Sequence, residues 1–182
     1  MLTARRSVVI TTLIVAGATV AACGEINPFE STPTTTQPRQ RPADANTADV
    51  EFLTNMTAHL QAGRALTAAA LDPLNEATAE TAAFARHIQN EDDGRIKKMT
   101  ELLDSWGEPT EPAIRPEPPD ALQGLDGVAF DDVWTELMLE HHAQAETIAE
   151  QVKRDGSSRE VNNIAAGVLV DLGFETTRLH AR

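Results

Sequence analysis

An all-α four-helix bundle is what this sequence predicts, and three observations carry the prediction. Ala, Leu and Glu are abundant and no stretch alternates apolar and polar residues as a half-buried strand would. Apolar residues recur instead at helical spacing: at about 100° per residue, Trp134, Met138, His141, Ala145, Ile148 and Val152 fall in one stripe, with His142 roughly 85° round from its middle. Third, Phe52, Met56, His59, Gly63 and Leu66 match Trp134, Met138, His141, Ala145 and Ile148 at a constant offset of about 82 residues, so the chain reads as an internal duplication of one helical unit. Only the second copy has paired histidines, because Leu60 stands where His142 does.

The elements follow in chain order. Arg5 and Arg6, the apolar run from Val8 to Val20 and Val20-Ala21-Ala22-Cys23 have the form of a secretion signal over residues 1–22. The apolar run is too short for a comfortable membrane span. Its end resembles the lipobox of bacterial lipoproteins, which implies lipidation at Cys23, the chain's only cysteine, and a protein exported and lipid-anchored to the outer face of the bacterial cytoplasmic membrane. A single cysteine also excludes an intrachain disulfide. Residues 23–46, rich in Pro, Thr and polar side chains, have nothing to bury and are expected to be a flexible tether with a reach on the order of 25 Å.

Residues 47–182 are expected to form the bundle: a first repeat over about 48–107, a crossover over 108–128 and a second repeat over about 130–182. Helix 1 should span about Thr47–Leu71, capped by Asn46 or Thr47 and stopped by Asp72-Pro73. Helix 2 should span about Asn75–Trp106 and stop at Gly107. Asp92-Asp93-Gly94 interrupts it at a cost of roughly 1 kcal/mol for the glycine, yet Phe84, Ile88, Met99, Leu103 and Trp106 hold one phase, so it reads as continuous, with Gly94 the place for any bend. The crossover contains Pro109, Pro112, Pro116, Pro118 and Pro119. A segment of that kind rises about 3.1 Å per residue, enough to traverse a helix of about 38 Å and start the second hairpin at the far end. Helix 3 should run from about Phe130 to Arg154, closed by Asp155-Gly156, and helix 4 should begin with Ser157 as N-cap and Glu160 completing a capping box. Two short-looped hairpins joined by one long crossover is ferritin-like connectivity.

Charge narrows function. The net charge of −13 becomes −15 once a leader carrying Arg5, Arg6 and no acid is removed, and a surface that acidic repels phosphate backbones, so nucleic acid is excluded as a partner. No Glu precedes a His by three residues, as di-iron bundle oxidases require, and there is no Gly-rich phosphate loop, H-E-x-x-H or nucleophile elbow. The chain is therefore not expected to be an enzyme.

Met138-x-x-His141-His142-x-x-Ala145 on one helix, with an acidic position at Glu175 on the next and Trp106-Gly107 closing the first repeat, resembles the secreted bacterial domain-of-unknown-function family numbered three-zero-five. The resemblance covers about Ala48–Gly107 and Phe130–Arg182. It implies a ferritin-like four-helix bundle, often duplicated, with some members implicated in copper binding or tolerance. Leu172 stands where Gln is usual; in the first repeat Met56, His59 and Met99 match, while Leu60, Asp92 and Arg95 replace His, Gln and Glu.

Two readings follow. A thioether and an imidazole at i and i+3 share a helix face and suit copper better than magnesium or calcium. The candidate ligands are Met56, His59, Met138, His141, His142 and Glu175, approaching across the core if the hairpins pack about a pseudo-twofold axis, and the copper-binding reading makes the protein a metal buffer or sensor at the cell envelope. In the alternative, Met fills core gaps and His is merely hydrogen-bonded, and the bundle is a non-catalytic structural or partner-binding module. Arg95 and Glu175 both lie near the middle of apolar stripes, where a lone buried charge would be costly, so a direct Arg95–Glu175 ion pair is expected; the alternative has Arg95 reaching outward and Glu175 bonded to His59 or His141. His142, on the flank of its stripe, is expected to be more exposed than His141, and His87 and His180 lie outside the repeated pattern.

Overall fold

A computed structural model describes residues 40–110 and 117–181. The expected leader, Cys23, most of the expected tether and residues 111–116 lie outside the described residues. Four helices make the fold: α1 (Thr47–Leu71), α2 (Ala79–Trp106), α3 (Gly127–Asp155) and α4 (Arg159–His180). No helix among the described residues is long and apolar enough to cross a membrane.

Local chemistry sets the boundaries. Asn46 caps α1 in a reciprocal capping box, its side chain accepting from the Asp49 N–H at 3.1 Å while the Asp49 carboxylate accepts from the Asn46 N–H at 2.8 Å. The second helix begins later than expected, at Ala79 rather than Asn75. Asp72-Pro73 seeds a 3₁₀ turn over Pro73–Asn75, Glu76 takes a left-handed conformation at φ 46°, and Thr78 supplies the cap. The helix runs unbroken through Gly94 and ends at Gly107, whose φ of 75° turns the chain out of the helix. At the fourth helix the cap is Ser158, not Ser157.

The hairpins pack antiparallel through α1 and α3. Asn46 Nδ2 donates to the Asp155 carbonyl at 2.8 Å at one end, and Trp134 Nε1 donates to the Leu66 carbonyl at 2.8 Å towards the other. α1 packs on α2 and α3, and α3 on α4. Between α2 and α4 lies an open groove of about 480 Å³.

The duplication is visible in the contacts as well as in the sequence. Asp49 accepts from the N–H groups of Ser157 and Ser158 at 3.2 and 3.0 Å, holding the start of α4 from α1. Asp131, which is 82 positions on, accepts from the Thr78 N–H at 3.3 Å and so holds the start of α2 from α3. Each hairpin thus caps the second helix of the other, as a pseudo-twofold requires. Gly156 is needed because a Cβ there would lie 2.6 Å from Asp49 Oδ1.

The core is two apolar clusters rather than one. The first gathers Phe52, Met56, Leu60, Met99, Trp106, Val152 and Leu172 with their neighbours; the second gathers Leu66, Phe84, Ile88, Trp134, Met138 and Leu179 with theirs. On every helix the gap between clusters falls at polar residues: Gln61 on α1, Asp92 on α2, His142 on α3 and Glu175 on α4, all buried. A polar layer therefore crosses the waist of the bundle.

Candidate metal centre

The layer is built by α1 and α3 meeting where both carry His at the matching place in the repeat. The rings of His59 and His141 stack with centroids 3.9 Å apart and planes 9° from parallel. His59 Nε2 lies 3.1 Å from the His141 carbonyl oxygen, and because a carbonyl only accepts, this nitrogen carries the proton and Nδ1 has the lone pair. Gly63 makes the stack fit: a Cβ on it would lie 2.4 Å from His141 Nε2 and 2.8 Å from Cε1. The absent side chain is filled by imidazole.

His142 turns the other way, towards α4, where its Nε2 is 3.3 Å from Glu175 Oε2. It is buried, and His141 is the partly exposed one, the reverse of the expectation. α3 is covered on two sides, by α1 and by α4, so its buried face is wider than one stripe and takes in both residues.

The expected Arg95–Glu175 ion pair is not formed. Arg95 Nη1 donates to Asp92 Oδ1 at 2.9 Å and Nη2 to Asp171 Oδ2 at 2.6 Å. The groove separating α2 from α4 explains the change: a long guanidinium side chain reaches its rim, where Asp171 is half exposed, more easily than the buried Glu175 one turn further on. Glu175 finds an imidazole, as the alternative held, but that of His142 rather than His59 or His141.

Met56 and Met138 part company. Both are fully buried, but Met56 belongs to one apolar cluster and Met138 to the other. In antiparallel helices each lies three residues, about 4.5 Å of rise, to opposite sides of the His59–His141 stack. The single site holding both thioethers that the sequence suggested is therefore not assembled. Sequence reading also missed Asp92 and Asp171 as partners of Arg95, and the role of Gly63, although Gly63 stands in the repeat beside His59.

Burial sets the protonation of the layer. It pushes His141 down to about 3, helped by the charges of His59 and His142, and His142 down to about 4, helped by Arg95 and His59. His59 is lowered by burial too, against the opposing hydrogen bond to His141. All three imidazoles are neutral at pH 7, the form that binds metals. Burial raises Glu175 to about 7 against the pull of Arg95, and Asp92 to about 6 against the same charge.

Four atoms of the layer are buried without a hydrogen-bond partner: Gln61 Oε1, His141 Nε2, His142 Nδ1 and Glu175 Oε1. Orphaned donors and acceptors of this kind need a reason. Two of them are imidazole nitrogens, which suits copper, silver or zinc chemistry. Among the described residues no three His, Cys, Asp or Glu side chains are gathered around one point as a ready-made site. The layer holds fitting donors packed on one another, not spread about a centre.

Fold and layer together define a class: a duplicated two-hairpin helical bundle whose waist buries histidines and carboxylates. The chain belongs to the family described as Domain of unknown function (DUF305), which matches residues 49–181. Among solved structures it is similar to CopM in the Cu(I)-bound form, with 23% identity and a TM-score of 0.63 over 73% of this chain and 93% of that one. A DUF305 fragment from Deinococcus radiodurans gives 21% identity and 0.64 over 75% and 95%. A structure described as putative secreted protein DUF305 from Streptomyces coelicolor gives 22% and 0.64 over 76% and 91%. These likenesses establish the fold. Comparison with curated proteins finds no match.

Proposed function

We propose that the chain is an exported, lipid-anchored, non-catalytic protein of the bacterial cell envelope that binds copper through the histidines of its polar layer. The observation carrying this reading is the His59–His141 stack, whose His141 Nε2 is buried and unpartnered, with the equally unpartnered Nδ1 of the adjacent His142. Neutral imidazoles bind copper without first losing a proton. Support comes also from CopM, solved in Cu(I)-, Cu(II)- and Ag-bound forms on the same fold. Export draws on the description of the Streptomyces structure as a putative secreted protein, and anchoring on the lipobox-like sequence ending at Cys23. Bound copper would supply a soft-metal centre for buffering or sensing, with His59 and His141 as its holders.

Competition with a Cu(I) chelator tests the reading. The purified protein should bind copper at micromolar Kd or tighter, and His59→Ala with His141→Ala should abolish binding while the helical signal persists. A wild type that does not bind defeats it. A second reading, a structural or partner-binding bundle, draws on the closure of half the layer by Arg95 with Asp92 and Asp171; it expects a melting temperature unmoved by copper.

A further inference from the structure

The carboxylate half of the layer has an arrangement that a structural salt bridge does not require. A pair needs one anion, yet Arg95 serves several: it bonds to Asp92 and Asp171 and lies in the field of Glu175 as well. Asp92 and Glu175 are buried at 7% and 4% exposure, and Glu175 Oε1 has no hydrogen-bond partner at all. Glu175 and Asp171 also line a cavity of about 340 Å³, with His87, Glu91 and Phe174 completing its wall. A buried carboxylate oxygen without a partner, between two helices that already share a cation, is what a metal site looks like when something else holds the charge.

We propose that Arg95 is the resident cation of a latent carboxylate site formed by Asp92, Asp171 and Glu175 with His142, and that its guanidinium excludes divalent metal ions from this half of the layer. The inference deepens the copper reading, since it names which ions the layer refuses, but its test does not use copper. Oxygen donors with one imidazole are the ligand set for zinc or manganese, and bundle cores commonly build such sites from facing helices. With the guanidinium in place, two of the three carboxylates are engaged and a divalent ion would meet a positive charge. On the α1–α3 side His141 Nε2 is free, and an imidazole nitrogen favours a softer ion.

Removing the guanidinium should open the site. Thermal melts of Arg95→Ala in chelator should show a lower melting temperature than wild type, because buried carboxylates lose their counter-charge. Zn(II) or Mn(II) at about a hundredfold excess over Kd should then raise it by on the order of 10 °C, and calorimetry should give one site. Wild type and Arg95→Lys, which keep the cation, should shift by no more than roughly 2 °C. If Arg95→Ala is unfolded in chelator, metal-driven recovery of the far-ultraviolet helical signal is the same readout. The control is Asp92→Asn with Arg95→Ala, which should fold without metal and lose the response. The proposal is overturned if Zn(II) and Mn(II) neither stabilise nor refold Arg95→Ala, if the double variant responds equally, or if wild type already binds as tightly. A wild type that fails to bind Cu(I) defeats the preceding reading and leaves this one standing.

Discussion

Replacing Gly63 by Ala tests the geometry of the stack directly, because two well-understood effects oppose each other there. In the interior of a helix the change ordinarily stabilises by roughly 0.5–1 kcal/mol, since Ala has less backbone freedom to lose. At Gly63 the new Cβ would lie 2.4 Å from His141 Nε2, far inside van der Waals contact, so ring or helix must move. Overfilling a packed interior costs about 1–3 kcal/mol. The net expectation is a loss of about 1–2 kcal/mol, a fall in melting temperature of roughly 3–10 °C for a domain of this size. In a His141→Ala background the obstacle is gone and the sign should reverse, with Gly63→Ala stabilising by about 0.5–1 kcal/mol. The two changes should therefore be non-additive by about 1.5–3 kcal/mol in a double-mutant cycle followed by thermal unfolding. If Gly63→Ala alone raises the melting temperature, or the cycle closes within about 0.5 kcal/mol, the ring does not lie against this glycine and the account of the stack is wrong.

Two further outcomes follow from the layer and its flanking clusters. Glu175→Gln should not strand Arg95, which keeps Asp92 and Asp171. Glu175 has a folded pKa of about 7 against an ordinary 4.5, so its contribution to stability is fully present below pH 4.5 and lost as pH rises through 7. The shift corresponds to roughly 3 kcal/mol as an upper bound. The Gln variant should therefore be the more stable protein at pH 8, by on the order of 1–3 kcal/mol in urea melts, with the difference vanishing towards pH 4.5; destabilisation at pH 8 would contradict the assignment of partners. Met56→Leu and Met138→Leu conserve volume within apolar clusters, so each should cost under about 1.5 kcal/mol and leave copper affinity within about twofold, whereas a collapse in affinity would restore the thioethers as ligands.

What the sequence disclosed, and what it hid, divide along a physical line. Helix 1 was legible to the residue, Thr47–Leu71, because Asn46 and Asp72-Pro73 are local signals that act within a few residues. The meeting of His59 with His141 was legible too, since the duplication made antiparallel packing about a pseudo-twofold the natural arrangement. The partners of Arg95 were not. Periodicity places a residue on a face, but Asp171 and Glu175 are neighbours on one face, and choosing between them needs the width of the groove separating α2 from α4. The same limit inverted His141 and His142, which lie about 100° apart on a helix covered from two directions. One signal was present and unread: Asp49 and Asp131 stand at the repeat offset, and reading them as a pair would have predicted the reciprocal caps at Ser158 and Thr78. Those caps bear on function, because they fix the axial register of the two hairpins. A slip of one helical turn would carry His59 about 5.4 Å from its place against His141 and bring Met56 or Gly63, depending on its direction, towards the position where the imidazole now stacks. The clamps at the ends of the bundle therefore hold the histidine stack at its waist.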